Sequence, residues 1–245
     1  MTIHNDAKLS YEKWHAELAV DEEASTPWHD LVKQHIDLKR DLADRRILEM
    51  ACGRGGFAVW LAQNEARPSV VVAADFAQSA VAMGKRFAES RGADAAEWNV
   101  GDITRTPYPS DTFDTIFCCE TIEHVPFPRS ALAELARILK PGGRLFLTTP
   151  NYFGIYGLYR IYLRLMGKPY TEEGQPINHP LILPRTLNWV RKSGLKVTTL
   201  DGVGHYLLFP GVVPKRLTLF DKVRVLTRWS GLHSLIIAVK PQAAP

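Results

Sequence analysis

Glu49-Met50-Ala51-Cys52-Gly53-Arg54-Gly55-Gly56-Phe57 is the stretch on which the fold turns. Just before and into it, Arg46-Ile47-Leu48-Glu49-Met50 is short and apolar and reads as a buried strand. Residues 57–64 read as a helix. Glycines between a strand and a helix let the chain turn tightly and let its backbone approach a ligand closely.

The alternation continues outward. Val70-Val71-Val72-Ala73-Ala74-Asp75 is a strand and residues 78–90 a helix. Residues 96–100 and Thr115-Ile116-Phe117-Cys118-Cys119 are strands. A helix over 130–139 stops at Pro141-Gly142-Gly143, and 144–149 is the next strand. Repeated βα units predict an α/β fold, a largely parallel sheet with helices on both faces. Two helices, 8–20 and 28–42, precede the first strand. After Pro150 the rhythm breaks: 152–168 is apolar and aromatic, 184–193 is helical, and 195–200 and 234–240 are two last strands. The 245 residues are expected to form one domain, with N-terminal helices over 1–45, a core over 46–150 and an insertion with the last strands over 151–245.

Apolar residues make up 46% and charged residues 23%, which is globular composition and excludes global disorder. The cysteines are Cys52, Cys118 and Cys119, with no C-x-x-C spacing, so neither a disulfide framework nor a structural zinc site is expected. The N-terminus carries no apolar signal core, and no apolar run reaches the ~20 residues of a membrane span. A cytoplasmic location is expected. Charge is uneven: residues 152–245 hold 13 Lys/Arg against 4 Asp/Glu. Such a basic part faces an anionic substrate, a membrane surface, nucleic acid or simply water.

Three polar features fall at consecutive strand ends. The glycine turn follows the first strand, Asp75 closes the second, and Asp102 follows the third. A carboxylate at Asp75 suits the ribose hydroxyls of an adenosine cofactor. Asp102 is placed for an adenine amino group. Gly53-x-Gly55-x-x-Ala58 also fits the dinucleotide pattern, so spacing alone leaves NAD open.

Residues 46–150 resemble the core of class I S-adenosylmethionine-dependent methyltransferases. Glu49-x-x-x-Gly53-x-Gly55 is similar to their first motif, Asp75 to the second and Gly101-Asp102-Ile103 to the third. Phe113-Asp114-Thr115-Ile116-Phe117 and Leu139-Lys140-Pro141-Gly142-Gly143 are similar to later blocks. The resemblance implies a seven-stranded Rossmann-like sheet of order 3-2-1-4-5-7-6 with the seventh strand antiparallel. It implies S-adenosylmethionine as cofactor, held by Glu49, Ala51, Gly53, Gly55, Asp75, Phe76, Asp102, Ile103 and Cys119. Ala51 departs from the usual glycine, and alanine fits there only if its φ is negative.

Glu120-Thr121-Ile122-Glu123-His124 follows the fourth strand, at the edge where ligands of open α/β sheets bind. On a helical turn Glu120 would share a face with Glu123 and His124. His124 and Glu120 are thus the candidate catalytic acid–base groups. E-x-x-E-H also resembles the ubiquinone-biosynthesis catechol O-methyltransferases and the small-RNA 2′-O-methyltransferases, which implies a divalent Mg²⁺, Mn²⁺, Fe²⁺ or Zn²⁺ on Glu120, Glu123, His124 and a later histidine, His179. Many methyltransferases carry Glu-His here with no metal. The expected partner is a small-molecule acceptor: a phenol, a quinone precursor or a sugar-containing metabolite. No nucleic-acid module or dense basic face is visible.

In 152–168, Arg160, Arg164 and Lys168 recur every four residues. The segment reads as a lid or acceptor wall, as a helix on a membrane interface, or as a core helix with snorkelling arginines. Residues 215–229 are also basic and amphipathic, and Tyr11, Trp14 and Trp28 are candidates to close the pocket's other side. Two other classes stay open: an NAD-dependent oxidoreductase, which lacks a Tyr-x-x-x-Lys dyad here, and a non-catalytic adenosine-binding module, against which Glu120, Glu123 and His124 argue.

Overall fold

The computed structural model describes residues 2–17, 23–93, 95–153, 155–168, 174–207 and 215–242. Strands β1 (Arg46–Met50), β2 (Val70–Asp75), β3 (Ala96–Val100), β4 (Phe113–Cys118) and β5 (Leu139–Pro150) pair in parallel. β6 (Lys196–Val203) and β9 (His233–Val239) complete the main sheet, while β7 (Tyr206–Leu207) and β8 (Lys215–Arg216) form a separate ribbon that the sequence did not announce. The sheet order is β3-β2-β1-β4-β5-β9-β6, with β9 antiparallel to both its neighbours. Discounting the ribbon, this is the predicted order.

The helices are α1 (Thr2–Glu17), α2 (Pro27–His35), α3 (Gly56–Ala62), α4 (Gln78–Ser90), α5 (Pro128–Ile138), α6 (Ile155–Leu165), α7 (Leu183–Lys192) and α8 (Arg224–Ser230). Successive strand residues point to opposite faces, and both faces are apolar. Leu48, Val72, Ile116 and Leu145 share one core with Leu132 and Leu135 of α5 and Leu187 of α7. Ile47, Val71, Phe117 and Phe146 share the other with Leu31 of α2 and Phe57 and Leu61 of α3.

Two expected helices have other bounds than predicted. The first begins at Thr2, six residues early, and is described as far as Glu17, residues 18–20 lying outside the described part. The second breaks after His35, where Ile36 turns extended. A π-helical turn, Leu38–Leu42, follows, because the Asp37 carboxylate accepts the Lys39 and Arg40 N–H groups and caps it afresh. That turn delivers Asp41, fully buried, to Arg144 on β5. Asp41 also accepts the Asp37 N–H at 2.8 Å, and its carbonyl accepts the Thr115 hydroxyl at 2.8 Å. The N-terminal segment is thereby stapled to the amino-terminal edge of the sheet.

Breaking a buried ion pair leaves one charge uncompensated. Asp41→Ala is expected to destabilise the fold by about 3–5 kcal/mol, read as a fall in the urea midpoint at unchanged slope. A loss below ~1 kcal/mol would mean that Arg144 is effectively hydrated.

Candidate active site

The chain leaves β1 towards β2 and β3, then crosses back to β4 on the other side of β1. Loops after β1 and β4 therefore diverge and open a crevice at the carboxyl edge. A cavity of about 220 Å³ lies there. Its walls are Ala51, Gly53 and Arg54 after β1, Asp75 and Phe76 at the end of β2, Asp102 and Ile103 after β3, and Glu120, Thr121 and His124 after β4. Ala7, Tyr11, Trp14 and His15 close it, and their spacing makes them one face of α1. Tyr11 and Trp14 thus lie where the sequence suggested, whereas Trp28 packs on His233 instead, ring centroids 4.7 Å apart.

The turn after β1 is tied down by one carboxylate. Asp75 Oδ2 accepts the Gly53 N–H at 2.9 Å and Oδ1 accepts the Ala77 N–H at 2.9 Å. Gly55 sits at φ +81°, and a Cβ there would come within 2.2 Å of the Trp98 ring. Both backbone and space demand glycine. Ala51 sits at φ +62°, so the condition under which an alanine fits without strain is not met. The loop keeps its left-handed path and the alanine methyl carries the strain.

Buried polar atoms lie in the cavity wall at His15 and next to it at Glu49, whose chain neighbour Met50 lines the cavity. Burial pushes the Glu49 carboxyl up to about 8, with the Ala58 N–H opposing and Asp75 adding to the rise. Its Oε2 has no hydrogen-bond partner among the described residues, nor does Nδ1 of His15. Burial pulls the His15 imidazole below its ordinary value, against the pull of Asp75. Orphaned donors and acceptors of this kind call for a polar ligand, and the glycine turn leaves room for one. Asp102 accepts the Thr104 N–H and hydroxyl, each at 2.8 Å, on Oδ1. Cys119 is half-buried, and neither it nor Glu49 is among the residues lining the cavity.

Helix α1 is latched in place. No side chain of α4's own caps its N-terminus. Glu12 of α1 does so, accepting the Gln78 N–H at 2.6 Å and the Ser79 N–H at 2.9 Å. Arg54 Nη2 adds a bond to the His15 carbonyl at 2.8 Å. Neither Glu12 nor His15 was flagged by the sequence, although the apolar spacing of Ala7, Tyr11 and Trp14 marks this face of α1.

On the acceptor side the helical-turn expectation fails. Only Ile122–His124 is helical, a 3-10 turn, and Glu120 precedes it at φ +46°. The Glu120 N–H is held by the carbonyl and hydroxyl of Thr148, and its Oε2 meets His233 Nδ1 at 2.9 Å. Glu123 is fully buried and accepts the Thr149 hydroxyl at 3.1 Å. His124 Nδ1 donates to the Ile177 carbonyl at 2.6 Å, which leaves its Nε2 as the basic nitrogen. Burial lowers the His124 pKa from its ordinary value, against the Ile177 bond and Glu120, while His179 lowers it further. His179 joins this turn through its backbone, its N–H donating to the Glu123 carbonyl at 2.8 Å. The proposed metal set of Glu120, Glu123, His124 and His179 is therefore not assembled. Glu120 is turned to His233, Glu123 to Thr149 and His124 to Ile177, His179 Nε2 is buried with no hydrogen-bond partner among the described residues, and no group of three or more ligating residues occurs among those described.

Ala51→Gly relieves a left-handed alanine and is expected to stabilise the protein by about 1 kcal/mol, since that conformation costs an L-residue about 1–2 kcal/mol. Matched thermal melts check it, and an unchanged or lower midpoint would refute it. Glu12→Ala removes a cap and is expected to cost about 1 kcal/mol, with faster hydrogen exchange across α1. Although burial favours its protonated form, the Ser79 and Gln78 contacts hold the Glu12 pKa below its ordinary 4.5. The latch is thus at full strength above that value and weakens as pH falls through the lower folded-state pKa.

The methyltransferase-domain family matches residues 48–147. The chain is 30% identical over 190 residues to the ubiquinone biosynthesis O-methyltransferase of Nitrosococcus oceani, spanning 74% of this chain and 76% of that one. It is 35% identical over 135 residues to the demethylmenaquinone methyltransferase of Thermus thermophilus, spanning 54% of this chain and 60% of that one. An S-adenosylmethionine-dependent methyltransferase structure from Mesorhizobium loti shares the fold, with a TM-score of 0.63 at 16% identity over 88% of this chain and 98% of that one. The crevice at the sheet's switch point and a relative matching three quarters of the sequence agree: this chain belongs to the class I S-adenosylmethionine-dependent methyltransferases.

Proposed function

We propose that this methyltransferase acts on a hydroxyl oxygen of a small phenolic, quinone-precursor or sugar-containing molecule, with His124 as general base. The observation that carries the proposal is the tautomer of His124. Its Nδ1–H is given to Ile177, so Nε2 is the proton-accepting atom of a side chain that lines the cavity. The names of the relatives from Nitrosococcus oceani and Thermus thermophilus favour a quinone precursor among the candidate acceptors.

When bound, S-adenosylmethionine supplies an electrophilic methyl carbon on a sulfonium. The residues that would hold the cofactor are those around the glycine turn. Gly53 and Gly55 let backbone come close, Asp75 accepts ribose hydroxyl protons, and Asp102 accepts from the adenine amino group. Phe76 and Ile103 wall the site. Tyr11 and Trp14 exclude water and present aromatic faces suited to a cation. His124 takes the acceptor proton on Nε2, and Glu120, braced by His233, orients the acceptor from the neighbouring wall. No step is routed through a metal, because the side chains do not converge on one.

Calorimetry with S-adenosylhomocysteine tests the cofactor residues. Asp75→Ala is expected to weaken binding by about 1.5–3 kcal/mol if charge-assisted bonds to the ribose are lost, and NAD is expected not to bind. A catechol panel with the sulfonium cofactor tests the chemistry. His124→Gln is expected to lower kcat by about 10²–10⁴-fold with nucleoside affinity unchanged. His124 faces Glu120, Glu123 and His179, and its pKa lies below the ordinary 6.5. Activity should therefore rise with pH through an acid limb centred below 6.5 and be level at neutrality, and the substitution should abolish that limb. Wild-type activity that tracks no such limb would remove His124 as the base.

A further inference from the structure

Helix α6 is built inside out. Leu158, Ile161, Tyr162 and Leu165 recur at the i, i+3, i+4, i+7 spacing of one helix face, yet that face is outward: they are 66%, 57%, 38% and 82% exposed. The opposite side is turned to the protein. There Arg160 lies over the Tyr152 ring at 4.6 Å and donates to Asn178 at 3.3 Å, and Tyr156 meets Tyr206 at 6.3 Å. None of the described residues of 152–168 lines the cavity, and the outward apolar row of α6 does not fit a core helix. Water alone would turn it the other way.

A second outward row stands beside it. Leu219, Phe220, Val223, Val225, Leu226 and Trp229 are all exposed. The segments that carry the two rows are tied together: Tyr206, which meets Tyr156 of α6, opens the β7–β8 ribbon that leads into the second row, and Asn151 Nδ2 donates to the Trp229 carbonyl at 2.8 Å. Exposed apolar rows of this extent mark a binding face.

We propose that these two rows dock the protein on an anionic lipid membrane. Charge selects the occupant. Residues 155–168 and 215–230 together carry eight Lys/Arg and one acidic residue, Asp221. Asp221 is already bound to Arg216 at 2.9 Å. Two copies of so basic a face would repel each other, whereas an anionic headgroup layer complements it. Tyr162 and Trp229 are the side chains that favour the boundary between hydrocarbon and water. No helix among the described residues is long and apolar enough to cross a membrane, so the contact is peripheral. The proposal does not depend on the identity of the acceptor.

Flotation of the full chain with vesicles tests it. Binding is expected to phosphatidylcholine vesicles containing phosphatidylglycerol, to weaken with salt, and to be absent on phosphatidylcholine alone. The triple variant Arg164→Ala/Lys168→Ala/Arg228→Ala should lose about fivefold in partitioning per charge removed. Leu158→Ser/Leu165→Ser should abolish binding while S-adenosylhomocysteine affinity, measured by calorimetry, stays unchanged and so certifies the fold. No flotation on anionic vesicles at low salt overturns the proposal, as does undiminished binding by both variants. Self-association removed by Leu158→Ser/Leu165→Ser, without vesicle binding, also overturns it and assigns the rows to a protein interface.

Discussion

Two backbone N–H groups from different loops, Gly53 and Ala77, converge on the carboxylate of Asp75. Much of the site is arranged around that convergence. It joins the turn after β1 to the turn after β2 and so fixes the spacing of the crevice mouth. The carboxylate has lone pairs to spare, so the group that shapes the loop can also meet a ligand. Holding the loop this tightly has consequences nearby. Ala51 stays left-handed, and Trp98 packs against Gly55 and Gly84 with no room for a side chain on either.

The opposite edge of the sheet is organised by charge. Asp41 and Arg144 meet in the interior, and the turn carrying Asp41 is capped by Asp37. This pins the N-terminal region at its far end, while α1 reaches the cavity at the other and hooks onto α4 through Glu12. One half-buried carboxylate capping two N–H groups, with the Arg54 bond to the His15 carbonyl, is a modest restraint compared with the packed sheet beneath it.

Position after β4 explains why the acceptor wall departs from expectation. A helical turn over 120–124 would have clustered Glu120, Glu123 and His124. Instead β4 hands over to a left-handed residue, and Thr148 of the neighbouring strand captures the Glu120 N–H. The carboxylate then faces His233, at the start of β9. A sheet-edge interaction overrode the local pattern, and the result leaves His124 bonded to Ile177 and Glu120 paired with His233 rather than forming a ligand set.

Much of this was written locally in the sequence. Apolar strand runs, the glycine turn, Asp75 and Asp102 at strand ends, and the Pro-Gly-Gly break specify a doubly wound sheet and its switch point, because each signal depends on neighbours a few residues away. The resemblance then supplied the strand order. What only the tertiary structure decided lies at long separation. Glu12 and Ser79 are 67 residues apart, and Glu120 and His233 are 113 apart. No periodicity encodes such pairs, since each partner taken alone is an unremarkable polar residue. The outward turn of α6 is of the same kind. Its amphipathic pattern is plain in the sequence, but a pattern has no direction until Arg160 finds Tyr152 and Asn178 and the apolar row is left facing outward.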